Sequence, residues 1–220
     1  MSRSHLVAAA AAILLAAGSA QAALVDRGGG MVYDDVQNIT WLQNWNTNSA
    51  HTWDEANQWA ASLSHGGYDD WRLPTALSAD GTGPCGGPNC SASEMGYMFY
   101  NYFGGNAGES VLDQSGDTAE EIANLALFTH MGGTFYWTAT PLNAGSAWIF
   151  ATYDGTQYTN PKDTSLYAVA VRDGDVGGTT GAVPEPATAL LVLAALGALA
   201  AARSKERTVS AEANGEPTRP

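Results

Sequence analysis

Gly66-Gly67-Tyr68-Asp69-Asp70-Trp71-Arg72-Leu73-Pro74-Thr75 is the stretch from which the fold can be read. Two consecutive glycines stop a preceding helix, because glycine takes left-handed backbone at no steric cost. Pro74 forbids helix afterwards, so the block is expected to run extended and then turn. Upstream, Thr52-Trp53-Asp54-Glu55 has the form of a capping box, in which the threonine hydroxyl and the glutamate carboxylate each serve the other's backbone amide. Trp53, Ala56, Trp59, Ala60 and Leu63 then recur at helical spacing on one face. Further upstream, Met31-Val32-Tyr33 and Ile39-Thr40-Trp41-Leu42 read as two short strands joined by the polar turn Asp34-Asp35-Val36-Gln37-Asn38.

Downstream of the block, Ser91-Ala92-Ser93-Glu94 repeats the capping-box pattern. Met95, Met98, Phe99 and Tyr102 supply an apolar stripe that ends at Gly104-Gly105, which predicts a second helix. Residues 106–121 are polar and acidic and read as an insertion-like loop. Strand signals follow at 134–140, 147–153, 157–158 and 166–171, with Asp154-Gly155 as a hairpin turn. A hairpin, two helices and an antiparallel strand meander, in that order, make an α+β domain.

Both ends of the chain carry targeting signals. Arg3 precedes twelve apolar residues, Leu6 to Ala17, and the small-residue site Ala20-Gln21-Ala22 follows. That run is shorter than the about 20 residues a membrane-spanning helix needs, so residues 1–22 read as a signal peptide cut after Ala22 by signal peptidase. At the other end, a Gly/Thr linker at 177–182 leads to Val183-Pro184-Glu185-Pro186. Sixteen apolar residues, 187–202, come next, then the basic cluster Arg203, Lys205 and Arg207, and a polar tail at 208–220. A helix of that length spans about 24 Å, and the cations hold its end at the cytoplasmic face. These three parts in this order resemble the PEP-CTERM sorting signal, residues 183–207. The resemblance implies transient insertion in the inner membrane, exosortase as partner, and release to the cell surface or extracellular matrix.

Between the signals, residues 23–182 hold eighteen acidic side chains and four basic ones, Arg27, Arg72, Lys162 and Arg172, a net charge of −14. Such a surface repels phosphate backbones and argues against nucleic acid as a partner. The only two cysteines, Cys85 and Cys90, lie in Pro84-Cys85-Gly86-Gly87-Pro88-Asn89-Cys90, and in an exported chain they read as one local disulfide. Zinc would need two further ligands close by, and this loop has none.

Five pieces of the chain resemble the Lcl C-terminal domain family, named for the end domain of a bacterial collagen-like adhesin. They are Ile39 to Gln43, Thr52 to Ala56, Gly66 to Thr75, Tyr136 to Thr140 and Ala168 to Arg172. The resemblance covers most of residues 30–174, within a domain expected over residues 23–176. It implies a compact α+β domain related to C-type-lectin-like folds, displayed outside the cell, with glycan adhesion and no catalysis. Polyanion binding of the kind found in the namesake would need more cations than this domain has. A neutral or cation-bridged polysaccharide suits it better.

His51, His65 and His130 sit in no catalytic motif, and adjacent carboxylates at Asp34-Asp35, Asp69-Asp70 and Glu120-Glu121 point to opposite faces of an extended chain. No catalytic residue is assigned and no cofactor is required. Calcium is the one option left open, at the acidic turns Asp34-Asp35 and Asp69-Asp70 or at Asp173-Gly174-Asp175, although the last lacks the third acidic position and the distal glutamate of a calcium loop. Trp71 and Trp137 are expected in the core, with Arg72 paired to a buried carboxylate. Tyr97, Tyr100, Tyr102, Tyr153 and Tyr158 are the candidates for an exposed aromatic patch. The sequence thus predicts a noncatalytic exported surface or matrix protein, polysaccharide-associated or adhesive. The alternatives are a secreted enzyme on a lectin-like fold and a purely structural matrix component.

Overall fold

The computed structural model describes residues 24–46 and 49–177. The signal peptide and the sorting segment read from the sequence lie outside those residues. In chain order the elements are β1 (Leu24–Gly28), β2 (Met31–Asp34), β3 (Ile39–Leu42), α1 (Trp53–Ser62), α2 (Glu94–Tyr97), α3 (Ala119–Ala126), β4 (Phe135–Pro141), β5 (Ser146–Ala151), β6 (Thr156–Pro161) and β7 (Val171–Asp173). Helix α2 continues directly as a π-helical turn, Met98–Tyr102. Two antiparallel sheets result, one ordered β1-β2-β3-β7 and the other β4-β5-β6. The α+β class expected from the sequence is the one observed.

A single segment, Leu166 to Asp173, stitches the two sheets together. Leu166 and His51 exchange both backbone hydrogen bonds, at 2.8 and 2.9 Å. Tyr167 donates to Phe135 O and accepts from Trp137 N, which lays the segment along β4. Ala170 O accepts from Leu42 N, and Val171 pairs with Trp41 on one side and with Arg72 on the other. Ala168, Val169, Ala170 and Val171 are all fully buried. Small and β-branched side chains are what such a doubly covered strand requires, since both of its faces meet packed neighbours.

Aromatic rings fill the space beside this seam. Trp41 and Trp45 stack with centroids 5.4 Å apart, and Phe103, Phe128 and Tyr136 meet Trp45 edge to face. Edge-to-face contacts suit the ring quadrupole and add about 0.5–1.5 kcal/mol per pair beyond the area buried. Trp71 and Trp137 are buried as expected, the latter donating through its indole to His51 O at 2.9 Å.

The two sequence-predicted helices form, with local differences. At α1 the Glu55 carboxylate accepts from both the amide and the hydroxyl of Thr52, and the helix ends on the extended Leu63. Gly66 and Gly67, at φ +64° and +87°, therefore do not stop it. They make the tight turn of a small hairpin in which His65 and Tyr68 exchange backbone hydrogen bonds. At α2 the cap is Ser93, whose hydroxyl accepts from Gly96 N, so Glu94 stands at the first helical position and its carboxylate is free for another partner.

Several expectations need correction. The described residues hold three helices where two were expected. Helix α3 starts in the region read as an insertion-like loop, and it has its own capping box between Thr118 and Glu121. Its first turn, Ala119 to Glu121, closes the polar stretch 106–121, while the apolar residues Ile122, Ala123, Leu125 and Ala126 lie beyond it. Strand β1 was not anticipated at all, and of the stretch 166–171 only Val171 joins a sheet ladder.

Cys85 and Cys90 form the expected disulfide. Their loop docks on the outer edge of β6: Gly87 and Gln157 exchange backbone hydrogen bonds at 2.7 and 3.0 Å, and the buried Gln157 amide donates to Cys85 O and Ala76 O. The loop thus acts as a covering for a sheet edge. Because the ring closed is so small, replacing both cysteines by serine is expected to lower stability by no more than about 2 kcal/mol. Urea unfolding should show this as a lower midpoint with an unchanged slope.

Candidate functional site

Arg72 lies at the base of a cleft between the β2–β3 turn, the loop after Thr75 and β7. It is held on the extended block by its own backbone, which bridges Val171 in both directions. All five of its N–H bonds have acceptors. Nε and one Nη2 hydrogen reach Asp173 Oδ1 at 3.2 and 2.5 Å, Nη1 reaches Leu73 O and Glu94 Oε2, and Nη2 reaches Glu94 Oε1 at 2.7 Å. Glu94 Oε2 also accepts from Thr75 N at 2.7 Å. Burial works against the guanidinium charge, but the hydrogen bonds and charges of Glu94 and Asp173 together outweigh it, so its pKa lies above the ordinary arginine value. The expected pairing with a buried carboxylate is present, and Arg72 has no donor left for a ligand.

Over this network opens a cleft of about 370 Å³. Gln37 and Asn38 from the β2–β3 turn, Ser78 and Leu77 from the loop after Thr75, and Asp173 from β7 line it. Gln37 is fixed by donating from Nε2 to Asp34 Oδ2 and to Glu94 O.

Asp34 organises that turn from inside. Its side chain is fully buried and accepts from Val36 N, Gln37 N, Gln37 Nε2 and the Tyr102 hydroxyl. Burial raises its pKa despite these hydrogen bonds. Burial, and then the charge and hydrogen bond of Asp34, push the Tyr102 hydroxyl far up as well. Tyr102 therefore does not belong to an exposed aromatic patch.

The exposed aromatic feature is smaller and lies on the second sheet. Tyr153, 41% exposed, and Tyr158 meet Phe135 edge to face at 5.0 and 6.0 Å. Burial and the neighbouring Tyr153 push Tyr158 up to about 12. Tyr100 is tied down elsewhere, donating to Gly155 O and accepting from Asn89 N. A second, smaller cleft of about 210 Å³ is lined by Asn46, His130, Thr134, Tyr136 and Tyr167.

The acidic turns do not converge. Asp173 turns to Arg72, while Asp175 clamps Arg27 and Asp70 clamps Arg172, each with two hydrogen bonds. Asp173-Gly174-Asp175 is thus parted by two arginines. Among the described residues no group of three or more His, Cys, Asp or Glu is placed to hold a metal ion. The histidines are also apart in their contacts: His51 pairs with Leu166, His65 with Gly29 O and the Trp71 ring, and His130 sits in left-handed backbone at the small cleft.

All four cations of the described residues are engaged internally. Beyond the three arginines and their carboxylates, Lys162 lies 3.9 Å over the Trp53 ring, and Arg172 also covers Tyr68. The five sequence pieces singled out above meet at these joints. Val171 pairs with both Trp41 and Arg72, Ala139 N donates to Pro74 O, and the Trp53 indole donates to Thr138 O.

Residues 182–207 match the PEP-CTERM protein-sorting motif. The motif implies export and membrane-associated sorting through exosortase, after which the protein is extracellular. The PEP-CTERM residues Val183 to Pro186, Arg203, Lys205 and Arg207, like the signal-cleavage residues Ala20 and Ala22, lie outside the described residues. No curated protein matches the chain. Among the described residues no helix is long and apolar enough to cross a membrane.

Replacing Arg72 by Met leaves Glu94, whose side chain is only 12% exposed, with an unpaired charge. The expected loss is about 3 kcal/mol, at the low end for breaking a buried pair, because Arg72 itself keeps 34% exposure. Tyr102→Phe removes a hydrogen bond to the Asp34 carboxylate and should cost about 1.5–3 kcal/mol near neutral pH. Since the folded pKa of Asp34 is raised, protonated Asp34 favours the native state at low pH, and that contribution fades as pH rises through the folded pKa. The deficit of Tyr102→Phe should therefore grow with rising pH across this range, as denaturant titrations at several pH values would record.

Proposed function

We propose that this chain is a noncatalytic exported protein whose domain, residues 23–176, is held at the cell surface or in the extracellular matrix and engages neutral polysaccharide there. The observation that carries the reading is the internal commitment of every cation among the described residues, against eighteen carboxylates. A polyanion would have to break an existing ion pair at each arginine, or the cation–π contact of Lys162, to gain a contact, and would meet a field of the wrong sign. Uncharged hydroxyl-rich polymers meet neither obstacle.

In this reading signal peptidase cuts after Ala22, and β1 starts at Leu24, which places the first strand next to the new terminus. The segment 187–202 then holds the chain at the inner membrane until exosortase cuts near Val183 to Pro186. The Lcl C-terminal character of the domain, with its C-type-lectin-like relationship, is supported by the contacts that link its five sequence pieces pairwise.

The test uses protein recovered from outside the producing cells. Its intact mass should lack the residues beyond the Val183 to Pro186 motif, and it should sediment with the organism's own exopolysaccharide in calcium and in chelator alike. A full-length C-terminus would overturn the sorting step. Sedimentation only with calcium would replace the direct contact by a cation bridge at the acidic turns. With no sedimentation in either condition, a purely structural matrix role takes the place of polysaccharide binding.

A further inference from the structure

The cleft above Arg72 has a composition that selects a ligand. Arg72 contributes no donor, because its five N–H bonds are used, and Glu94 has both oxygens occupied. Four groups that line the cleft have hydrogen-bonding capacity left within the described residues. Asp173 accepts from Arg72 through Oδ1 alone, which leaves Oδ2 on a side chain 78% exposed. Gln37 uses both Nε2 hydrogens and keeps its carbonyl oxygen. Asn38 accepts at Oδ1 from the Tyr33 hydroxyl and keeps its amide hydrogens, and the Ser78 hydroxyl is uncommitted.

This set mixes two fixed acceptors, one donor and one group that is both. An anion would find a single amide donor beside carboxylates, and a divalent cation would find a single free carboxylate oxygen where it needs six or more oxygens. Hydroxyl groups donate and accept at once, so a ring with adjacent hydroxyls can satisfy acceptor and donor in turn. Leu77, Ala79 and Ala92 add apolar wall for the C–H face of such a ring. The volume, about 370 Å³, lies at the small end of the about 300–1,000 Å³ typical of small-molecule sites.

We propose that this cleft, between the β2–β3 turn, the loop carrying Ser78 and the start of β7, is the subsite for one uncharged sugar ring of the polysaccharide. This rests on the polysaccharide reading above and names the place where it happens. The Arg72 network serves as a positioning device: it holds Asp173 by one oxygen so that the other faces ligand at fixed geometry. Fixing a polar group before the ligand arrives removes an ordering cost that binding would otherwise carry.

The test is a titration of the isotope-labelled exported protein with methyl glucoside, methyl galactoside, methyl mannoside and, as the charged counterpart, glucuronate, followed by amide chemical shifts. At least one neutral glycoside should move Asn38, Ser78 and Asp173 saturably, with glucuronate weaker by roughly tenfold, which is about 1.4 kcal/mol. Ser78→Trp, which fills the cleft, should abolish these shifts, and Ala79→Phe serves the same purpose if the first variant does not fold. Tyr153→Ala should leave them intact. Shifts centred on Phe135, Tyr153 and Tyr158 instead would overturn the cleft as the site while leaving polysaccharide binding in place. So would silence towards all three glycosides from a protein that still sediments with exopolysaccharide. Glucuronate binding tighter than the glycosides would overturn the neutral-sugar assignment, and loss of both shifts and sedimentation would overturn the cleft and the polysaccharide reading together.

Discussion

One guanidinium holds three parts of this domain in register. Arg72 sits on an extended block that belongs to neither sheet, and its five hydrogen bonds reach the first turn of α2, the end of β7 and the backbone of its own neighbour Leu73. An ammonium could not do this, since only a planar fork matches a carboxylate with two parallel bonds while serving another beside it. Because Glu94 is at the first position of α2, the same pair also places a carboxylate where the helix dipole favours one. The helix, the β7 end and the Pro74 turn are therefore set by one charge cluster, and the cleft is the space those three leave between them.

That arrangement explains what the sequence made legible. Thr52 to Glu55 could be read as a helix start because its hydrogen bonds are local, and Trp71 and Trp137 could be placed in the core because their size leaves few other locations. The pairing of Arg72 with Glu94 could be anticipated only in kind. Its partner lies twenty-two residues away, past the disulfide loop, and no local spacing identifies it. Ser93, not Ser91, caps α2, since two serines stand within reach of one helix start and the choice depends on where Glu94 is needed. Helix α3 was missed for a different reason. Thr118-Ala119-Glu120-Glu121 has the same cap pattern as Thr52 to Glu55, but it ends a polar stretch and opens a helix of only eight residues, so the cap was read as loop. Tyr102 had two readings, apolar stripe and exposed patch, and its burial against the Asp34 carboxylate bears out the stripe.

The cleft itself was legible only in fragments. Gln37, Asn38, Ser78 and Asp173 come from three separate parts of the chain: Gln37 and Asn38 were read only as turn residues, Asp173 only as part of an incomplete calcium loop, and Ser78 carried no signal. What gathers them is the pairing of β3 with β7 and the reach of Gln37 to Asp34 and Glu94, both long-range consequences of the buried seam. The motif residues, by contrast, are consumed by the fold. Trp41, Trp71, Arg72, Trp137 and Val171 form the joint, so the conspicuous sequence blocks specify the scaffold and the inconspicuous turn residues specify the surface it presents.

A domain of this design that works outside the cell must also keep its sheet edges from pairing with copies of itself, because an open edge offers unpaired amides and carbonyls to any extended chain. The second sheet is closed on both sides. Tyr167 and Pro74 hydrogen-bond to β4, and Gly87 of the disulfide loop covers β6. In the first sheet β7 is met by Arg72, while β1 forms the outer strand on the other side. There the protection is of another kind. The register breaks between Asp26 and Gly28, Arg27 is clamped by Asp175, and three glycines at positive φ bend the chain away at once. A short, bulged and charged strand is a poor template for addition. The disulfide is thus placed at β6, where regular pairing with β5 runs from end to end and no bulge would deter a visitor, and it is left out at β1, where the irregular backbone already does so.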